Sequence, residues 1–120
     1  MDEKLVSVIM PTYNGSRFLA ASIESVLSQT YKHLELLITD DCSSDYNVQR
    51  IIKEYAAKDS RVKPVFLKEN HGVGYSRNNA IERAEGRYIA FCDSDDRWMP
   101  EKLERQLAYM NEKGCALSYS

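Results

Sequence analysis

Asp93-Ser94-Asp95-Asp96 sets three carboxylates within four positions, directly after the apolar run Tyr88-Ile89-Ala90-Phe91-Cys92. That run, opened by Gly86, has the length and composition of a buried strand. The acids therefore stand where a strand leaves its sheet. Two carboxylates about 4 Å apart repel by about 1 kcal/mol in water and about 4 kcal/mol at an effective dielectric of about 20. A fold that crowds them relieves the repulsion with a proton, an arginine or a metal cation. Hard divalent cations prefer oxygen ligands of this kind. Taken alone, the same four residues also read as an exposed acidic turn whose side chains cap backbone amides.

Three more loops carry polar residues of the same character: Pro11-Thr12-Tyr13-Asn14, Asp40-Asp41, and Asn70-His71-Gly72-Val73-Gly74 with Arg77-Asn78 close behind. Each is weak by itself. Asn14-Gly15 suffices for a turn, Asp40-Asp41 for acids at a helix N-terminus, and Arg77 for a solvated helix face. Gly72 and Gly74 are too few for a phosphate-binding fingerprint. His33 and His71 read as loop histidines.

The elements between these loops are legible from periodicity. Leu5–Met10 reads as a buried strand stopped by Pro11. Leu19, Ile23, Val26 and Leu27 share one helical face, with Ser16 as the expected N-cap. Leu34–Thr39 is a second strand. Cys42-Ser43-Ser44-Asp45 supplies turn and cap residues for a helix carrying Val48, Ile51, Ile52 and Tyr55. Val62–Leu67 is a third strand, and Pro64 argues for an edge or a strand end. A third helix runs over Tyr75–Ala84, with Gly86 as its expected stop. Pro100 suits the first turn of a fourth, with Leu103, Leu107 and Met110 inward and Gly114 at its end. Cys115–Ser120 begins another strand. This alternation predicts an α/β fold: a mostly parallel, doubly wound, Rossmann-like sheet with helices on both faces. Ligands of such sheets bind outside the carboxyl ends of the strands, where all four polar loops lie.

Composition sets the frame. The 120 residues make one domain, 43% hydrophobic and 28% charged, with a net charge of −2. Nothing in that balance suggests nucleic-acid binding, and no apolar stretch reaches the roughly 20 residues of a membrane span. The N-terminus lacks a signal-peptide pattern. The expectation is a cytoplasmic protein, the full-length form peripheral at most at the inner face of the membrane. Cys42, Cys92 and Cys115 are not spaced for a disulfide framework or a zinc site. Cys92 and Cys115 read as small buried apolar residues, and Cys42 as a loop residue.

In register, these segments resemble the family 2 glycosyltransferases, which have the GT-A fold. Val8-Ile9-Met10-Pro11-Thr12-Tyr13-Asn14 is similar to their opening strand and P-x-Y-N loop, and Leu27-Ser28-Gln29-Thr30-Tyr31 to their S-Q-T-Y/F segment. Leu36 to Asp45 resembles the second strand with its D-D-x-S-x-D loop, and Asn70-His71-Gly72 through Arg77-Asn78 the N-x-G…R-N element. Ala84 to Asp96 resembles the A-x-G-x-Y-I…D-S-D-D block.

The resemblance implies a donor site for a nucleoside diphosphate sugar, UDP-sugar favoured, with Mn2+ or Mg2+. Asp95 matches the metal ligand, and Asp93 the acid near ribose or metal. Asp41 matches the acid that hydrogen-bonds the base. Pro11, Thr12 and Tyr13 match the loop against the nucleoside, with Tyr13 available for stacking. Arg77 falls on the diphosphate side, Ser94 among the nucleotide-binding residues, and Asp96 in an orienting role. It implies inverting transfer to an acceptor hydroxyl of a glycan or polysaccharide precursor. The acceptor half, with the general base, normally follows this region. The expectation is that residues 1–120 form the donor-binding part, that the base lies beyond Ser120, and that this piece alone has little or no transferase activity.

Three rivals fit less well. A phosphoacceptor receiver domain puts its acid pair after the first strand and a Lys after the fifth; here the first strand ends in Pro11-Thr12-Tyr13-Asn14, and no Lys follows Cys115. A nucleotidyltransferase wants a Gly-rich basic loop after strand one, which is absent. A degenerate partner-binding domain has no need of intact acids at Asp41, Asp93 and Asp95.

Overall fold

The computed structural model describes residues 4–113 and 117–119. Elements run β1 (Val6–Thr12), α1 (Ser16–Leu27), β2 (Leu34–Asp40), α2 (Tyr46–Lys58), β3 (Val62–Phe66), α3 (Val73–Arg83), β4 (Tyr88–Phe91), α4 (Lys102–Lys113) and β5 (Leu117–Tyr119). The strands form one sheet in the order β3-β2-β1-β4-β5, every pairing parallel. Chain direction across the sheet reverses between β2 on one side of β1 and β4 on the other. A crevice opens outside the strand ends at such a switch point. The side chain of Met110 and all of Gly114 and Cys115 lie outside the described set.

Alternation along the strands sorts the core into two layers. Val6, Val8, Met10, Leu36 and Ile38 pack with Leu19, Ile23 and Val26 of α1 and Val48 and Ile52 of α2. Trp98, Leu103 and Leu107 join that cluster. Ile9, Leu37 and Phe91 face the other way and meet Ala80 of α3. Helices thus cover both faces, as the alternation predicts. Among the described residues no helix is long and apolar enough to cross a membrane.

Four local expectations are corrected. Pro11 does not stop β1 but lies within it, opposite Thr39. The amide of Cys92 donates to Ile9 O at 3.0 Å, and alternation puts Pro11 on that same side, beyond the last residue of β4. Its missing N–H therefore leaves no ladder bond unmade. Ser16 is not the cap of α1; Gly15 holds that position, and the Ser16 hydroxyl donates to Asp45 Oδ2 at 2.7 Å. Pro100 precedes α4 rather than forming its first turn. Gly86 does not stop α3, which ends at Arg83 with Ala84 as C-cap. A Cβ on Gly86 would stand 2.5 Å from Ser7 Oγ and 2.8 Å from Leu5 O. Gly86 is therefore fixed by close approach to β1, not by helix termination.

One buried charge hides in an apolar strand. Glu35, 2% exposed, accepts from Ser7 Oγ at 2.6 Å, Lys63 Nζ at 2.8 Å and the Glu85 amide at 2.8 Å. Burial pushes its carboxyl up, but the bonds from Lys63, Ser7 and the Glu85 amide together hold it below the ordinary value of 4.5. A depressed folded-state pKa gives stability that is full above 4.5 and is lost as pH falls through the lower folded value. Glu35→Gln is expected to cost about 1–2 kcal/mol near neutrality and to flatten the acid limb of the stability profile, read from urea midpoints across pH. An unchanged acid limb would assign that limb to other carboxylates.

Candidate functional site

A cleft of about 660 Å³ opens at the carboxyl ends of β1, β2 and β4. All eight site residues expected from the sequence line it: Pro11, Thr12, Tyr13, Asp41, Arg77, Asp93, Ser94 and Asp95. Asn14, Gly15, Phe18, Asn70, Gly72, Val73 and Ser76 complete the wall.

The β1 loop is clamped to the β2 loop. Asn14 takes positive φ, 55°, which turns the chain sharply after Tyr13 and aims its amide at the neighbouring loop. Asn14 Oδ1 accepts from the backbone amides of Ser44 at 3.0 Å and Asp45 at 3.1 Å. The Asn14 amide donates to Ser43 Oγ at 2.7 Å. Asp45 caps α2 through the Asn47 amide. Tyr13 is left 54% exposed at the cleft, an aromatic side chain of the kind that stacks on planar ligands.

The two adjacent acids do different work. Asp40 is buried and internally consumed, accepting from Thr12 Oγ1 at 2.7 Å and from Ser43 Oγ at 2.6 Å. Asp41, 3% exposed, accepts from the His71 amide at 2.7 Å and the Gly72 amide at 2.8 Å. It pins the entry of α3 to the end of β2. Gly72 takes φ 94° there, a region that favours glycine. A carboxylate offers about four lone-pair sites, so two amides leave acceptor capacity for a ligand N–H.

Arg77 reaches from α3 across the cleft. Its Nη2 lies 3.3 Å from Asp93 Oδ1, with the two side chains 40% and 55% exposed. Though partly solvated, Arg77 is directed to the cleft acid rather than to solvent alone. Asp95 is exposed, and Asp95 and Asp96 make no ion pair among the described residues. The acidic loop is tied down from behind. Ser22 Oγ donates to Ser94 O at 2.8 Å, and the Asp96 amide to Asp93 O at 3.0 Å. Gln29, fully buried, donates to Met99 O at 2.7 Å and accepts from the Leu103 amide at 2.9 Å. These bonds hold the segment that follows the acids. Beneath the loop, burial and the Asp96 and Asp93 charges push the Cys92 thiol up to about 12. It is an inert core residue. His71 stacks on Tyr75 with ring centroids 4.2 Å apart.

Asn70 and Val73 belong to a rim loop named from the sequence but were given no individual role, and Phe18 and Ser76 were not anticipated as wall residues. Phe18 carried a signal: it is apolar but one position out of phase with Leu19, Ile23 and Val26. Ser76 carried none, because α3 begins at Val73, two residues earlier than its periodicity suggests, and so turns Ser76 toward the cleft.

A family model described as glycosyl transferase family 2 matches residues 7–119. TuaG of Bacillus subtilis (strain 168), named as a proposed teichuronic acid biosynthesis glycosyltransferase, is 47% identical over 116 residues, 97% of this chain and 46% of that protein. WfgD of Escherichia coli, a UDP-Glc:α-D-GlcNAc-diphosphoundecaprenol β-1,3-glucosyltransferase, is 45% identical over 119 residues, 99% of this chain and 46% of that one. The chain thus spans about half the length of these relatives. Among solved structures, S. aureus TarS 1–349 in complex with UDP superposes with a TM-score of 0.79 at 34% identity, covering 89% of this chain and 32% of that chain. The mannosyltransferase PcManGT from Pyrobaculum calidifontis in complex with GDP-Man and Mn2+ gives a TM-score of 0.83 at 23% identity, over 91% of this chain and 33% of that one. At that identity the likeness speaks for the fold alone.

Proposed function

Since the chain belongs to glycosyl transferase family 2, we propose that it forms the donor-binding half of a glycosyltransferase. Its substrate is a nucleoside diphosphate sugar, UDP-sugar favoured, bound with Mn2+ or Mg2+. The sugar goes, with inversion, to a hydroxyl of a glycan or polysaccharide precursor. The observation that carries this reading is one cleft at the sheet's switch point that gathers the Tyr13, Asp41, Arg77 and Asp93–Asp95 side chains. UDP in TarS and the UDP-Glc donor of WfgD support the choice of nucleotide.

The donor set fits a metal of a particular kind. Among the described residues no group of three or more His, Cys, Asp or Glu side chains is gathered to cage an ion. Mg2+ and similar ions instead use one or two carboxylates plus substrate phosphates, and Asp93 and Asp95 supply that number. When bound, the ion supplies charge stabilisation to a departing diphosphate. The chain's own residues do the rest. Tyr13 offers a stacking face for the base, and Asp41 a fixed acceptor for a base N–H. Arg77 presents a guanidinium fork matched to phosphate. Inversion requires a carboxylate to deprotonate the acceptor; no residue of this chain is assigned that role.

Calorimetric titration of the chain with UDP, GDP and dTDP, with and without Mn2+, tests the reading. UDP is expected to bind most tightly and only weakly without metal. Equal binding of all three, or binding indifferent to Mn2+, would discard it.

A further inference from the structure

We infer that Arg77 is a latch on the metal site: it holds Asp93 until a diphosphate draws it away, so that divalent-metal binding depends on the nucleotide. The inference rests on the donor-cleft reading and adds an order of events to it.

Arg77 and Asp93 come from different elements, α3 and the loop after β4, and both line the cleft. With Arg77 Nη2 3.3 Å from Asp93 Oδ1, a fixed positive charge sits on one of the two carboxylates available to an ion. A divalent cation arriving alone meets that charge as repulsion and finds Asp93 already engaged. The contact is also easy to give up. It is longer than the roughly 2.7–2.9 Å of a strong charge-assisted bond, and at 40% and 55% exposure both side chains are well hydrated. A diphosphate offers the guanidinium a bidentate partner of higher charge. As Arg77 turns to it, Asp93 is released to the cation that the phosphates accompany. Metal and nucleotide then each favour the other's binding by the same factor.

The test is a Mn2+ titration of the chain by electron paramagnetic resonance, with and without UDP, on wild type, Arg77→Gln and Arg77→Lys. Arg77→Gln is expected to bind Mn2+ alone about 3- to 5-fold more tightly than wild type, the scale of an exposed ion pair. It is expected to bind UDP more weakly, and the factor by which UDP tightens Mn2+ falls correspondingly. Arg77→Lys keeps the charge and is expected to bind Mn2+ alone as wild type does. Unchanged or weaker Mn2+ binding by Arg77→Gln, in a variant whose thermal unfolding matches wild type, overturns the latch. If wild type still binds UDP with Mn2+ in that case, the donor-cleft reading stands. If wild type binds no UDP under either condition, both fall together.

Discussion

Asp95→Ala is expected to remove the metal dependence of UDP binding. Titrations with and without Mn2+ then coincide, and affinity in the presence of Mn2+ falls about 100-fold, the upper end of what even outer-sphere ligand losses cost. Asp95 is exposed in the cleft wall and makes no ion pair among the described residues. Asp93 is shared with Arg77, so Asp95 is the carboxylate free to meet an ion first. Its side chain packs against no core, so the fold is expected to survive; an unchanged thermal midpoint checks this. Asp96→Asn is the useful contrast. Its backbone amide, not its carboxylate, closes the turn onto Asp93 O, and the substitution is expected to leave the Mn2+ dependence in place. Retained metal dependence in Asp95→Ala would move the ligand role to another acid of the loop.

A second large effect belongs to stability. Asp41→Asn is expected to cost about 2–3 kcal/mol, read from urea unfolding, and to expose the His71 and Gly72 amides to hydrogen exchange. Both carboxylate oxygens accept backbone N–H bonds in a 3% exposed site. An amide side chain turns one of those acceptors into a donor, so one backbone N–H loses its partner. The bond that remains also loses its charge assistance. The loosened α3 entry carries Arg77 with it, so UDP binding weakens as well. Full stability with intact amide protection would show that the loop is held by other contacts, and that Asp41 faces the ligand alone.

Some of this molecule was written plainly along the chain. Apolar period and turn residues were enough to order nine elements, because strands buried on both faces and amphipathic helices leave different one-dimensional patterns. The rule that parallel sheets bind at their strand ends then put four distant loops on one rim, and the family pattern selected the same residues. Eight side chains expected at that rim do line one cleft.

What escaped was pairwise. Glu35 was not singled out within Leu34–Thr39; its partner Lys63 lies on β3, and only the parallel β2–β3 register brings Lys63 beside Leu37 and its ammonium onto that carboxylate. Gly86 looked like a helix stop until Ser7 of β1 came within 2.5 Å of where a Cβ would stand. Gln29 sat in a recognisable segment without a visible task, which it acquired only when α4 docked beside α1.

The amino-acid sequence by itself determined which elements form, which faces they bury, and which residue types stand at the carboxyl rim, because these depend on local period and backbone chemistry. Tertiary structure decided which charges meet. Arg77 could serve solvent, phosphate or acid until α3 and the β4 loop converged, and only that convergence set it 3.3 Å from Asp93. The reason is physical: burial patterns repeat along a chain and can be read from it, whereas ion pairs and hydrogen bonds act over a few ångströms between residues that only folding brings together.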